Sequence, residues 1–239
     1  MQNRIIFRQN NVITIIGFGK TSNKKIALPS EKIAQTYHFS RDQFDNAQSK
    51  TTMHNFFSKD KDVCMDCPFA VSNGAKLSAC YTHKVMQYSG FLSMLRSIGK
   101  QYKSFEDIPE LSPLDFDAIV LKCSNLYVRF GTYGEPSLLP IELVSRICNV
   151  ASTWTGYTHQ WRRQSEFAPY FMASVHTAEE ERIANLIGYR SFVVASETQN
   201  QFINCPASKE MGFKSHCSKC GLCSGSKGKG QKSVVILEH

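Results

Sequence analysis

The chain has 239 residues, a formal net charge of +8, and 42% hydrophobic and 20% charged residues. That length can bury a core without covalent staples, and the composition excludes disordered and fibrous classes. No apolar run approaches the roughly 20 residues of a membrane helix, and Val12 to Ile16, broken by Thr14, is too short for a secretory signal. The expectation is therefore a soluble cytoplasmic protein with no membrane partner, in a compartment where thiols stay reduced. Nine cysteines, an odd number, then read as metal ligands and buried thiols rather than as a disulfide framework. The positive charge is compatible with nucleic acid or another anionic partner.

In chain order, Arg4 to Phe7 and Val12 to Ile16 read as strands joined by the turn Gln9-Asn10-Asn11. Ser22 to Lys61 is polar without a sustained period and reads as a long surface excursion. Tyr81 to Ile98 fits a helix, with Gly99 as its stop. Ser112-Pro113 opens a helix to about Lys122, with proline in the first turn and Asp115 and Asp117 near the positive end of the dipole. Leu126 to Phe130 reads as a strand, followed by a glycine-rich turn, Gly131 to Pro136. Leu138 to Asn149 reads as an amphipathic helix, Thr153 to Tyr157 as a strand, Thr158 to Phe167 as weakly helical, and Tyr170 to Val175 as a strand. Thr177 with Glu180 three residues later has the spacing of a capping box, opening a helix to Ile187. Arg190 to Ala195 and Ser233 to Leu237 are further strands.

Strand and helix alternating in this way imply an α/β fold with parallel strands, either a complete or partial (β/α) barrel or an open doubly wound sheet. No Gly-x-Gly-x-x-Gly follows the first strand, which favours the barrel. Polar residues cluster just past the predicted strand ends: Glu135; Tyr157, Thr158 and His159; Ser174 and His176; Ser196 and Glu197; and His239. In (β/α) barrels those ends share one mouth, where active sites form. Three segments follow: 1–62 with N-terminal strands and the polar excursion, 63–204 as barrel core, and 205–239 as a cysteine-rich segment with the last strand.

Seven cysteines fall into two groups. Cys205, Cys217, Cys220 and Cys223 carry a Cys-x-x-Cys-x-x-Cys run plus a remote fourth thiol. This suits an iron–sulfur cluster, with zinc as the rival. Cys64, Cys67 and Cys80 form an incomplete shell, which on a four-iron cluster would leave one iron open. Alternatively His83 or His54 closes a zinc site there. Cys123 and Cys148, in apolar helical contexts, read as buried small hydrophobes. Tyr157, His159, Trp161, Arg162 and Arg163 form a polar-aromatic segment. One reading makes His159 an acid/base and Arg162 an anion grip; the other packs Trp161 in the core and leaves the arginines to solvent. Ser224 to Lys232 is basic and glycine-rich and reads as a flexible hinge.

The segment Leu126-Tyr-Val-Arg-Phe-Gly-Thr-Tyr-Gly134-Glu135-Pro136, placed after a cysteine loop and its helix, resembles the Gly-Gly-Glu-Pro element of radical S-adenosylmethionine enzymes. The usual Cys-x-x-x-Cys-x-x-Cys loop of that superfamily is absent. The resemblance implies one or two 4Fe-4S clusters and S-adenosylmethionine, with Gly134, Glu135 and Pro136 as cofactor-binding residues; strand-end position adds Ser174 to them and makes Tyr157, His159 and His176 catalytic candidates. From about Gly19 onward the chain is also similar to a family of tailed-phage proteins called gene product eighty-eight. The similarity rests on Cys67-Pro68, Cys80-Tyr81, Gly134-Glu135, Tyr157-Thr158, Ser174, Cys205-Pro206 and the final cysteine run. It implies a phage protein on a radical-enzyme-like barrel, expected in the host cytoplasm; the positive charge in that context suggests a small-molecule, nucleotide or nucleic-acid substrate. The alternative expectation is a zinc-stabilised nucleic-acid-binding protein without catalysis.

Overall fold

The structure is a computed structural model and describes residues 3–197, 201–228 and 232–237. It opens with an antiparallel hairpin of β1 (Arg4–Gln9) and β2 (Val12–Gly19), turning at Asn10 with a positive φ of 49°. Asparagine is among the few residues that tolerate that conformation. Next, β3 (Ile33–Ser40) pairs antiparallel with β2, and β4 (Tyr127–Tyr133) and β5 (Thr153–Thr155) are added in parallel. The second sheet is wholly parallel. It contains β6 (Tyr157–Thr158), β7 (Met172–Val175), β8 (Ser191–Ala195), β9 (Ile203–Asn204) and β10 (Val234–Leu237), with β10 seated between β8 and β9. The protein is thus mixed α/β with two five-stranded sheets.

Only Gly156 separates β5 from β6, so one short segment serves both sheets. Its carbonyl accepts from Met172 N at 2.9 Å. A Cβ at Gly156 would lie 2.4 Å from Phe171 Cδ1, and glycine is what lets the chain pass so close to that ring.

The segment expected as a polar excursion instead holds β3, α1 (Arg41–Ala47) and α2 (Met53–Phe57). The reason is that β3 buries polar side chains. Thr36 accepts from Gly131 N, His38 pairs with Thr14, and Ser40 caps α1 in a capping box with Gln43. Once such groups are hydrogen-bonded their burial cost is met, but they erase the apolar alternation. Because β3 lies in the same sheet as β4, the first sixty residues pack into the same body as the next segment.

The cysteine loop begins in α3 (Lys61–Cys64) and ends before α4 (Val85–Gln101). Gly99 does not stop α4. The helix runs through it to Gln101, and Gln48 lies against the space a Cβ would fill. The chain continues with α5 (Phe116–Cys123), α6 (Ile141–Val150), α7 (Ala178–Leu186) and α8 (Cys217–Cys220). Thr177 caps α7 by accepting from Glu180 N. The weakly helical stretch is two 3₁₀ turns, Gln160–Arg162 and Ser165–Phe167. Predicted role-bearer His239 and part of the basic Ser224 to Lys232 stretch lie outside the described residues.

Strand alternation sorts the side chains of β4, β7, β8 and β10 onto two faces. Val128, Phe130, Ala173, Val175, Val193 and Val235 pack with α5 and α6 through Phe116, Ile119, Leu143 and Ile147. On the opposite face Met172, Phe192, Val234 and Tyr157 pack with Cys205, Cys217 and Cys223. A second core under α1, α2 and α4 joins Phe39, Phe44, Phe56, Phe57, Phe91 and Tyr133. Among the described residues no helix is long and apolar enough to cross a membrane.

Candidate functional site

All nine cysteines are free thiols. Cys64, Cys67 and Cys80 lie within electrostatic reach of one another and of Asp60 and Glu135. Burial pushes the Cys67 thiol up to about 12 and raises Cys64 and Cys80 as well. Backbone N–H groups point at two of the sulfurs: Phe69 at Cys67, and Thr82 and His83 at Cys80. The Thr82 hydroxyl also stands 3.0 Å from Cys80 Sγ. Asp60, fully buried, orders the loop by accepting from Val71 N and Ser72 N.

This loop packs against the ends of three parallel strands. Glu135, after β4, donates its backbone N–H to Val63 O at 2.7 Å. Its buried carboxylate accepts from Ser137 N, Ser137 Oγ, the Thr158 hydroxyl and His159 N. A carboxylate has about four acceptor sites, and these four donors occupy them. Burial raises the Glu135 carboxyl above its ordinary range despite those bonds. Gly134, at φ 80°, lets the turn lie on β3: a Cβ there would stand 2.8 Å from His38 Cβ. Pro136 opens the short 3₁₀ turn Pro136–Leu138 that Glu135 caps.

After β6, His159 Nε2 reaches Cys67 Sγ at 3.7 Å. After β7, His176 stacks on His159 with ring centroids 6.1 Å apart and 15° between planes, while Phe69 of the cysteine loop meets His176 edge-on. Burial, then the neighbouring His176, lowers His159 to about 4, which holds it neutral. The predicted residues Cys64, Cys67, Cys80, Glu135, His159 and His176 are therefore brought together where the cysteine loop covers the ends of β4, β6 and β7. Of the two histidines expected to close the first shell, His54 is exposed on α2 and the His83 ring lies against Phe57 at 4.0 Å. The imidazole that touches a thiol is His159.

Other predicted residues lie elsewhere. The Tyr157 hydroxyl bonds to Cys223, and its ring packs on Phe192. Ser174 contributes its carbonyl to Trp161 Nε1. Trp161 is buried, Arg162 is paired with Glu180, and Arg163 is paired with Asp66 of the cysteine loop. Cys123 and Cys148 are buried in the helix-covered core.

The four C-terminal cysteines gather around α8. Cys205, Cys217, Cys220 and Cys223 lie within electrostatic reach of one another, with Lys25 and Arg129 beside Cys217. Burial pushes Cys217 up to about 11 and raises Cys205 and Cys223. Ala207 N–H points at the Cys205 sulfur. Gly221, at φ 66°, ends α8. Main-chain bonds from Cys217 N to Lys25 O and from Ser218 N to Ile26 O dock this turn beneath the first sheet. Among the described residues no group of three or more His, Cys, Asp or Glu is drawn together as a shell for one metal ion.

Asp60, Thr82 and Phe69 were not marked by the sequence, and Thr158 was marked only as a strand-end residue. Their roles depend on contacts between distant segments, and a buried hydrogen-bonded Asp or Thr carries no pattern of its own. The chain matches no family model, no curated protein and no solved structure.

Proposed function

We propose that this is an iron–sulfur protein whose three-cysteine group is a reaction centre and whose four-cysteine group is an auxiliary or structural centre. The observation that carries this reading is the set of backbone N–H groups aimed at Cys67, Cys80 and Cys205. Such donors stabilise thiolates and tune clusters. Cys64, Cys217 and Cys223 have no such donor, like Cys123 and Cys148, and are placed in the two groups by their neighbouring thiols. Burial holds all of these thiols protonated, and a bound cation removes such protons.

The donor sets fit the group: Cys64, Cys67 and Cys80 would hold one cluster, and Cys205, Cys217, Cys220 and Cys223 the other. With S-adenosylmethionine, a cluster held by Cys64, Cys67 and Cys80 would supply one-electron radical chemistry. The chain's own part is positional. The parallel strands bring Glu135, His159 and His176 to one end, as a partial (β/α) barrel of the radical S-adenosylmethionine type does. Glu135 fixes the backbone of His159, and His159, neutral by burial, faces Cys67 and the mouth. A phage origin and a nucleotide or nucleic-acid substrate are part of the same reading.

The test is metal analysis of anaerobically purified protein. Brown protein with iron and sulfide is the expected result, and Cys67→Ser and Cys217→Ser should each remove part of the iron. Colourless protein with stoichiometric zinc would overturn the reading in favour of a zinc-stabilised binding protein.

A further inference from the structure

We propose that Arg129 anchors an anion-binding subsite between the two cysteine groups, taking the carboxylate or phosphate of a small-molecule substrate. The inference names a substrate class for the proposed enzyme, but it stands on the surroundings of Arg129 and not on the metal.

Arg129 is in the middle of β4. Its neighbours Val128 and Phe130 belong to the helix-covered core, so alternation sends Arg129 to the other face, with Tyr127. A guanidinium carries five N–H donors. That of Arg129 makes one hydrogen bond, from Nη2 to the Tyr81 hydroxyl at 3.1 Å, and no ion pair with a carboxylate among the described residues. Arg190, which is buried, instead donates to the carbonyls of Gly225 and Lys232. The groups within electrostatic reach of Arg129 are the phenols of Tyr37, Tyr81, Tyr127 and Tyr157 and the Cys217 thiol. Burial raises Tyr37, Tyr127 and Tyr157 further above neutrality, so these three phenols offer hydrogen bonds and no negative charge.

A half-buried guanidinium with one hydrogen bond and no carboxylate partner leaves most of its donors free for an anion. Oxyanions are what a guanidinium fork recognises, in bidentate geometry. Tyr81 is 61% exposed and follows Cys80 directly, so the approach to Arg129 opens beside the three-cysteine loop. An anion held there would place the rest of its molecule toward that loop.

The test measures thermal shift of the purified protein with inorganic phosphate and, separately, acetate, at constant ionic strength with chloride as control. One of the two anions should raise the melting temperature in a saturable way, and which one responds identifies the class. Arg129→Gln should weaken that response roughly tenfold or more. Tyr81→Glu, at an exposed position, would place a carboxylate beside the guanidinium and should abolish the response, which keeps the test decisive if the Arg129 variant fails to fold. No response in the parent protein, or an unchanged response in these variants, would overturn the proposal. So would an Arg129→Gln protein that keeps the anion response but loses metal from the four-cysteine group, because Arg129 would then be the partner of Cys217. Iron and sulfide measured on the same samples separate the two ideas: a metal-free protein that still responds to the anion sinks the cluster reading alone.

Discussion

The backbone N–H of His159 donates to Glu135 Oε2 at 3.0 Å, so the carboxylate that follows β4 holds the end of β6. The same residue grips Val63 through its own N–H and Ser137 through Oε1. Glu135 thus ties together the cysteine loop, its own turn and the histidine that meets Cys67.

Glu135→Gln should therefore destabilise the fold. Each carboxylate oxygen faces a backbone N–H, Ser137 on one side and His159 on the other. An amide nitrogen placed at either position meets a donor that cannot reverse. The expected loss is about 1–3 kcal/mol, read from the denaturant midpoint. An unchanged midpoint would show that the carboxylate is not held as described.

Gly156→Ala should cost about 1–3 kcal/mol through overpacking. The added methyl would meet Phe171 Cδ1 at 2.4 Å and Cε1 at 2.8 Å, with Phe130 Cβ at 3.3 Å behind. Phe130 and Phe171 pack on each other at 5.3 Å and have little room to yield. Denaturant unfolding checks this, and a loss under about 0.5 kcal/mol would mean that the rings move aside freely.

Elements with a clear period were legible in the sequence: the first hairpin, the helices of the later alternation and the strands between them. β3 was not, because Thr36, His38 and Ser40 are buried polar residues whose partners lie in β4, in β2 and in α1 and the loop after α2. The Ser40-x-x-Gln43 capping box was present as a signal for α1. Gly99 misled because a glycine inside a helix serves close packing as readily as it ends one. At the site, thiol spacing and strand-end positions marked the residues that meet, but spacing did not separate Tyr157 from His159. Two residues apart, they would share a face if the strand continued, but β6 ends at Thr158 and His159 already has helical backbone before the turn Gln160–Arg162, and only the fold shows that Tyr157 turns to Cys223.

Acid should weaken the protein through His38. The ring is fully buried, and burial lowers it to about 3; Nδ1 pairs with Thr14, and Nε2 has no partner among the described residues. The unfolded chain binds the proton near the ordinary value of 6.5, whereas the native state resists it. The stabilising contribution is complete above 6.5 and is lost as pH falls toward 3. At about pH 5 the loss is on the order of 2 kcal/mol, and His159, lowered to about 4, adds in the same direction. Denaturant midpoints across this range, compared between the parent and His38→Gln, isolate the term. Parallel profiles in the two proteins would remove His38 as the cause.

Tyr157→Phe discriminates between the two cysteine groups. The Tyr157 hydroxyl shares a hydrogen bond with Cys223, and its ring lies 4.3 Å from Phe192. The phenylalanine keeps the ring packing and removes only the hydroxyl, so the expected stability loss is about 0.5–1.5 kcal/mol. If Cys223 is a ligand thiolate, the lost donor alters the electronic spectrum of the four-cysteine centre, because hydrogen bonds to ligand sulfurs tune such sites. The three-cysteine group is held by Asp60, Thr82 and the Glu135–His159 pair, and if it binds metal as proposed it should keep that metal. Loss of metal from that group in Tyr157→Phe, with the four-cysteine spectrum unchanged, would return Tyr157 to the strand-end mouth and contradict its placement beside Cys223.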